Sequence, residues 1–505
     1  MLFTSLEFYL FLTAVFLLWL CMPVGKRPLV LLAASYVFYA WWQPWFVLVL
    51  LFCTLVGWLA GRMMAGEPDR GQRKRILIAA VGLNLLPLLF FKYVDFFNGA
   101  LKDGFSLLGW EYGVPALNVL LPLGISFYTF QTIAYCADVY QGKVEAESEI
   151  SVFALFLGFF PKLISGPIER GANLLPQLRQ YDDESSYCSS QRALSADLDS
   201  GFRRNDEGGR GFCDALFVSG VQLFLWGVFK KIVIADRLDM YVGMVFGDPE
   251  SMFGKTAVIG MWMFTLQIYC DFSAYMDMAI GCGRIFGIEL SRNFNFPYMA
   301  KNIADFWRRW HITLTSWFRD YVYIPLGGRR VTTGRWMVNI MAVFLLSGLW
   351  HGAGWTFVFW GGLHGLFYLV GKFTAPVRER LRGFWGLRGR IEAVWQVFFT
   401  FQLVSLAWVF FRARTIDDAF VLIRNMFLHL DLPVRMLSSQ FSTALAFGFA
   451  LVFVGLEVLI YWADRKGIDL VRAIPPVVRY PGYAAGLLVM ALFGVSSRQF
   501  VYFQF

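Results

Sequence analysis

Residues 336–371 read WMVNIMAVFLLSGLWHGAGWTFVFWGGLHGLFYLVG and contain no Asp, Glu, Lys or Arg. As one straight helix this run would be about 54 Å long, whereas the hydrocarbon core of a bilayer is about 30 Å thick. The run therefore predicts two membrane helices with a break between them. Gly352 and Gly354 loosen the helix and place the break at HGAG. His351 would then lie at a helix end inside the protein, near the middle of the membrane.

Similar apolar runs recur along the whole chain. Of its 505 residues, 57% are hydrophobic and 16% are charged, whereas a soluble domain averages about 25% charged residues. Together with a broken apolar region at 117–166, the runs predict about eleven to thirteen transmembrane or re-entrant helices. The clear runs are 4–22, 29–42, 45–61, 76–97, 215–234, 256–283, 336–350, 355–371, 392–411, 441–462 and 481–497. The sequence thus predicts an all-α polytopic membrane protein.

The chain is interpreted as a single membrane domain over 1–505. Within it, 182–212 is rich in Ser, Asp, Arg and Gly and predicts a flexible solvent loop inserted in the domain. The short loops 62–75 and 372–390 are basic, so both are expected on the cytoplasmic side, with the N-terminus outside. A re-entrant segment in 150–168 would keep the following loop inside as well.

The charge and cysteine patterns give little support to two other kinds of site. The net charge is +9, which topology explains through basic cytoplasmic loops. No basic face on a soluble element indicates nucleic-acid binding. The seven cysteines form no C-x-x-C pair and do not cluster with the four histidines, so no metal site is predicted.

A basic stretch at 301–325, KNIADFWRRWHITLTSWFRDYVYIP, has helical periodicity. Aromatic and aliphatic residues such as Phe306, Trp310, Leu314 and Trp317 recur at spacings of three and four, and charged residues fall on the other side. The pattern predicts an amphipathic helix at the membrane interface or partly sunken into it. His311 lies at the border of the apolar stripe.

The four histidines differ in their surroundings. His429 is expected to be incidental, and His364 is interpreted as a buried imidazole bonded to a backbone carbonyl. His351 is a candidate general base acting on a hydroxyl, because imidazole has a pKa near neutrality and a titratable group at that depth is costly. From the residues alone, a satisfied core histidine is an equally good interpretation of His351.

Acidic residues interrupt another apolar run, QIYCDFSAYMDMAIG. Because ionised Asp is costly in a membrane helix, Asp271 and Asp277 are expected to face the protein interior. Gln267, Asp271 and Tyr275 share one helix face. These polar residues either join helices or orient a catalytic histidine, and the sequence does not separate the two roles.

Several motifs together carry a family resemblance. DFWRRWHITLTSWFRDYVYIPLGG is followed, 40 residues after its histidine, by SGLWHG, and YCDFSAYMDMAIG, NFNFPY, LPLGISFYTFQ and PKLISGPIER accompany them. The chain resembles the membrane-bound O-acyltransferase family, in particular its bacterial branch that acetylates alginate and related polysaccharides. The resemblance covers nearly the whole chain apart from 182–212.

The resemblance implies a fold and an activity. The expected fold is a ring of tilted helices around a thin centre, with a funnel from each face. His351 matches the principal catalytic histidine of the family, and His311 matches the second, inner-side histidine. The expected donor is cytosolic acetyl-CoA, used as a substrate with no bound cofactor. The acceptor would be an extracytoplasmic polysaccharide, reached through a partner acetyltransferase outside the inner membrane of a bacterium.

Two further groups of residues are candidates for contact with substrates. Five arginines in the basic stretch could contact donor phosphates, although topology alone would explain them. They are Arg308, Arg309, Arg319, Arg329 and Arg330. The C-terminal SSRQFVYFQF resembles endings in this branch, so Tyr502 is either an acyl relay or an aromatic anchor at the interface.

Two alternative functions remain at this stage. A D-alanyl-type transferase would take its acyl group from a carrier protein and would need a protein-docking surface. A proton-coupled secondary transporter would use buried His and Asp residues, and typically has internal repeats.

Overall fold

The computed structural model describes residues 1–182, 214–385, 389–437, 439–495 and 500, and its regular secondary structure over these residues is helical. The α-helices of the first half are α1 Leu6–Cys21, α2 Arg27–Ala40, α3 Phe46–Gly66, α4 Arg70–Leu88, α5 Val94–Leu107, α6 Ile125–Tyr140, α7 Ile150–Gly158, α8 Phe160–Leu163, α9 Gly171–Arg179, α10 Asp214–Phe229 and α11 Asp236–Gly247.

The α-helices of the second half are α12 Gly254–Ile285, α13 Ile303–Arg309, α14 Ile312–Phe318, α15 Thr333–His351, α16 Trp355–Phe373, α17 Ala375–Trp385, α18 Arg390–Arg412, α19 Ile416–Asn425, α20 Gln440–Arg465, α21 Leu470–Ala473 and α22 Pro476–Phe493. Three short π-helical segments follow α4, α10 and α14, at Leu89–Tyr93, Lys230–Ala235 and Arg319–Tyr323.

The all-α membrane architecture predicted from composition is confirmed, since each of the eleven apolar runs is mostly helical over its described residues. Among the described residues, six helical stretches are long and apolar enough to cross a membrane, and α1 is a shorter apolar helix. The six are Phe46–Gly66, Arg70–Leu107, Ala215–Gly247, Arg390–Arg412, Gln440–Arg465 and Pro476–Phe493. The chain is a multi-pass membrane protein. Apart from Asp182, the insertion predicted at 182–212 lies outside the described residues.

The chain divides into two compact units. The first comprises Met1–Leu225 with Tyr275–Arg292, and the second comprises Trp226–Ala274 with Asn293–Phe505. The first unit is built around α6, in which fourteen of sixteen residues are buried. Helices α3 and α4 pack against α6 and against each other. A helix buried all round belongs to the core, so α6 is the centre of this unit.

The second unit contains the hairpin formed by α15 and α16, which is the long apolar run of the sequence. Helix α15 ends at His351, and Gly352 and Gly354 are extended before α16 begins at Trp355. The predicted break at HGAG is therefore confirmed. The two helices approach closely, because a Cβ atom on Gly348 or Gly361 would lie 2.3 Å from a carbonyl oxygen of the other helix.

The continuous amphipathic helix predicted over 301–325 is wrong. The segment is divided into α13, α14 and the π-helical Arg319–Tyr323, with His311 in the left-handed region at a φ of 45°. Residues 293–295 cause the break by taking the hydrogen bonds that a continuous helix would make. Ile312 N–H donates to the Asn293 carbonyl at 3.0 Å, and Asn295 N–H donates to the Arg309 carbonyl at 3.0 Å.

Candidate active site

His351 is positioned by the end of α15. It is the last residue of that helix and is 4% exposed. The rings of Trp350, Trp360 and Phe411 surround its imidazole at centroid distances of 5.0, 5.0 and 5.6 Å. The helix C-terminus carries partial negative charge and favours a cation next to it. His351 therefore lies at the negative end of the α15 dipole, in otherwise apolar surroundings.

His311 is positioned by the break between α13 and α14. It is fully buried, and the ring of Phe272 lies 4.9 Å from its own, edge to face. Asn293 holds this break, because its side-chain oxygen accepts from Thr313 N–H at 2.9 Å and from the Thr313 hydroxyl at 2.8 Å. These bonds replace helical bonds that the left-handed residue interrupts.

The two candidate catalytic histidines are brought together. The ring centroids of His311 and His351 are 6.2 Å apart, and Trp350 lies beside both imidazoles. The histidines are separated by 40 residues in sequence and come from different helical segments. A single reacting group bound between the rings would be within reach of both.

His364 continues this cluster away from His351. It is fully buried in α16, with Trp360 at 5.0 Å and Trp307 at 5.1 Å between ring centroids. Trp360 contacts both His351 and His364. Neither ring nitrogen of His364 has a hydrogen-bond partner among the described residues. The expected bond to a backbone carbonyl is therefore not found there.

Asp271 lies in a buried ion pair. Its carboxylate accepts from Lys231 Nζ at 2.6 Å, and the same Nζ lies 2.8 Å from Asp236 Oδ1. The Lys231 ammonium also lies 4.3 Å from the centroid of the Phe500 ring. These contacts join α12 to the π-helical Lys230–Ala235 and to α11, so the observed contacts of Asp271 connect helices. Sequence reasoning missed Lys231 and Asp236, although the charges in FKKIVIADR interrupt an apolar run and signal them.

Gln267 also connects helices. Its side-chain N–H donates to Asp239 Oδ1 at 2.9 Å, which links α12 to α11. Asp277 lies farther along α12, in the first unit, and is half-buried. Gln267 and Asp271 therefore make contacts between helices.

The five candidate phosphate-binding arginines fall into two sets. Arg308 and Arg309 pair with Asp305 at 3.3 and 3.1 Å, and Arg319 pairs with Asp320 at 2.7 Å. Burial opposes the charge of Asp305, but hydrogen bonds from the Lys301 backbone N–H and from Arg309 outweigh it and lower the pKa of the carboxyl.

Arg329 and Arg330 form the second set. Both side chains are exposed and form no hydrogen bond or ion pair with any residue that the structure describes. They follow Gly327 and Gly328, which have positive φ angles. Their guanidinium groups are therefore available to an anionic ligand, unlike those of the first set. Tyr502, the candidate relay, lies outside the described residues.

This arrangement suits acyl transfer between bound substrates. Two imidazoles lie side by side in a buried aromatic cluster, so protons can be moved where bulk water has little access. Comparison with known proteins agrees, since residues 148–413, more than half of the chain, match the membrane-bound O-acyltransferase family. The chain belongs to this family.

Relatives of this O-acyltransferase extend the match beyond that region. A probable alginate O-acetylase of Azotobacter vinelandii is 37% identical over 429 residues, covering 85% of this chain and 78% of the relative. One of Pseudomonas putida is 33% identical, covering 95% and 94%. A peptidoglycan O-acetyltransferase of Helicobacter pylori is 34% identical, covering 80% and 75%. The enzyme is thus similar to polysaccharide O-acetylating proteins over most of its length.

Proposed function

We propose that this O-acyltransferase takes an acetyl group from cytosolic acetyl-CoA and passes it across the bacterial inner membrane for O-acetylation of an extracytoplasmic polysaccharide. The observation that carries the proposal is the buried pair of His311 and His351, whose ring centroids are 6.2 Å apart. The names of the relatives support acetyl as the acyl group and a glycan as the final acceptor. A partner acetyltransferase outside the membrane would complete the modification.

In the proposed reaction His351 is the general base. Its neutral imidazole accepts the proton of the acceptor hydroxyl as the hydroxyl oxygen attacks the thioester carbonyl. The carbon–sulfur bond then breaks, the new carbon–oxygen bond remains, and the departing thiolate takes the proton. The products are an acetyl ester and the thiol of coenzyme A. His311 either relays a proton on the donor side or positions the thioester.

The unpaired Arg329 and Arg330 are proposed to bind the phosphates of the donor. Guanidinium groups bind phosphate oxygens through paired hydrogen bonds, and these two are not occupied by Asp or Glu, as Arg308 and Arg319 are. A carrier-protein donor, as in D-alanyl transfer, would instead need a protein-docking surface. The donor therefore has to be identified by experiment.

The test uses the purified enzyme with acetyl-CoA labelled in the acetyl group. We expect His351→Ala to lower thioester turnover by about 10²–10⁴-fold, the usual contribution of a general base. His429→Ala is the matched control, because His429 is exposed and should leave turnover unchanged. Turnover that survives His351→Ala would exclude the catalytic assignment.

The same preparation separates the alternatives. Failure to bind acetyl-CoA together with binding of an acylated carrier protein would favour the D-alanyl type of transfer. Proton uptake coupled to solute transport, with no thioester turnover by the wild-type enzyme, would favour a transporter.

A further inference from the structure

An apolar groove lies at the surface of α3 and α4 in the first unit. Its volume is about 420 Å³. Leu48, Val49 and Phe52 line it from α3, and Leu86, Pro87 and Phe90 line it from the other side. Proline lacks a backbone N–H, and the chain becomes π-helical two residues later at Leu89–Tyr93. This widening of the helix accompanies the groove.

The groove faces hydrocarbon. Both of its walls belong to membrane-length helices, Phe46–Gly66 and Arg70–Leu107. Leu48, Leu86 and Phe90 are 61%, 57% and 50% exposed, and every residue that lines the groove is apolar. A groove of this composition at the lipid-facing surface fits a hydrocarbon chain.

Two arginines lie on the helix faces of Leu48 and Leu86, which form one edge of the groove. Arg75 precedes Leu86 by eleven residues, which is about 20° more than three full turns. Arg62 follows Leu48 by fourteen residues, about 40° short of four full turns. The side chains of both arginines are exposed and form no hydrogen bond or ion pair with the described residues.

The two arginines also lie at a similar depth. Arg62 is four residues before the end of α3 at Gly66, and Arg75 is five residues after the start of α4 at Arg70. Along α4, Arg75 is about 16 Å from Leu86. Half of the hydrocarbon thickness is about 15 Å. A lipid whose phosphate lies beside the arginines would therefore place the end of its acyl chain in the groove.

We propose that Arg62, Arg75 and the α3–α4 groove form a binding site for an anionic phospholipid. The two guanidinium groups bind the phosphate and compensate the charge of the headgroup, while one acyl chain fills the groove. The excess of positive charge in cytoplasmic loops does not require the basic residues to lie on one particular face of a helix. Arg70 and Lys74 of the same loop lie about 140° and 100° around the helix from Arg75, so they serve as matched controls.

The experiment measures lipid retention by native mass spectrometry on the full-length enzyme. Phosphatidylglycerol, phosphatidylcholine and inorganic phosphate are titrated separately. We expect tight retention of phosphatidylglycerol, and about tenfold or more weaker retention by the Arg62→Gln/Arg75→Gln variant. The Arg70→Gln/Lys74→Gln variant should match the wild type. All four positions are exposed, and the thermal unfolding of each variant without added lipid verifies its folding.

A second variant tests the groove itself. Val49→Trp fills the space with a larger side chain, and should weaken retention of phosphatidylglycerol while both arginines stay in place. Equal loss of phosphatidylglycerol retention in the Arg62→Gln/Arg75→Gln and Arg70→Gln/Lys74→Gln variants would overturn the proposal. Retention of phosphatidylcholine as tight as that of phosphatidylglycerol would also overturn it. Full competition by inorganic phosphate would show an anion site without an acyl chain, and would also overturn it.

Discussion

At the scale of single residues, Asn293 determines where His311 lies. The Asn293 side chain accepts two hydrogen bonds from Thr313, and its backbone carbonyl accepts one from Ile312. Asn293 is 1% exposed, so water cannot take over these bonds if the side chain is removed. The position of the His311 imidazole therefore depends on a residue that is distant from it in sequence.

We predict that Asn293→Ala lowers both stability and turnover. Leaving the Thr313 donors unsatisfied in a buried site should cost about 1–3 kcal/mol, and the displaced His311 should reduce kcat more than KM. Asn295→Ala is the control, because the Asn295 side chain is exposed while its backbone N–H still bonds to Arg309. Thermal unfolding and steady-state kinetics measure the two effects. Wild-type kcat in Asn293→Ala would contradict the positioning role.

At the scale of elements, the α15–α16 hairpin positions His351 through close helix packing. Gly361 of α16 lies against the Phe344 carbonyl and the Gly348 backbone of α15. We predict that Gly361→Ala destabilises the enzyme by about 1–3 kcal/mol, because its Cβ would lie 2.3 Å from a carbonyl oxygen. Gly371→Ala, in the same helix but with open space around it, should be neutral or slightly stabilising. Equal unfolding temperatures for the two variants would exclude this account of the packing.

The buried pair of Asp271 and Lys231 connects helices in the same way. We predict that Lys231→Met lowers the unfolding free energy by about 3–5 kcal/mol, because the buried carboxylates of Asp236 and Asp271 would lose the ammonium that pairs with both. Replacing both aspartates by Asn in that variant should recover much of the loss. Lys255→Met, at an exposed position, is the control. Denaturant titration measures the unfolding free energy of each variant. If the variant with Lys231→Met and both aspartates replaced by Asn recovers no stability, the charge of the buried carboxylates is not the cause of the loss.

The elements also show what could be predicted from sequence. The break at His351 was predictable, because an uncharged run of 36 residues is too long for one membrane span. The glycines that mark the break lie next to His351 in the sequence. The break at His311 was not, because periodicity continues across it and the hydrogen bonds that cause it come from Asn293 and Asn295. The periodicity of apolar residues indicates which side chains are buried. It does not indicate a helix break that is caused by hydrogen bonds from another segment of the chain. The pairing of Asp271 with Lys231 was not predictable either, because it depends on how two helical segments pack against each other.

At the scale of the whole molecule, the proposed transfer across the membrane would require the donor and acceptor to approach from opposite sides. The basic loop 62–75 predicts the cytoplasmic side, and the turn at 41–45 between α2 and α3 then lies outside. If acetyl-CoA is the donor, the exposed Arg329 and Arg330 have to be on the same side as loop 62–75. This requirement links the topology to the proposed donor.

This topology predicts which single cysteines a membrane-impermeant maleimide can label in intact cells. Each cysteine is introduced into a variant that lacks the native cysteines. Gln43→Cys should be labelled directly, because it lies in the outer turn. Arg70→Cys and Arg330→Cys should be labelled only after the inner membrane is permeabilised. Labelling of Arg330→Cys in intact cells would place the unpaired arginines outside, away from cytosolic acetyl-CoA. The phosphate-binding role of Arg329 and Arg330 would then be excluded. His351 could still act as the base, because its assignment depends on the buried histidine pair and not on the side from which the donor enters.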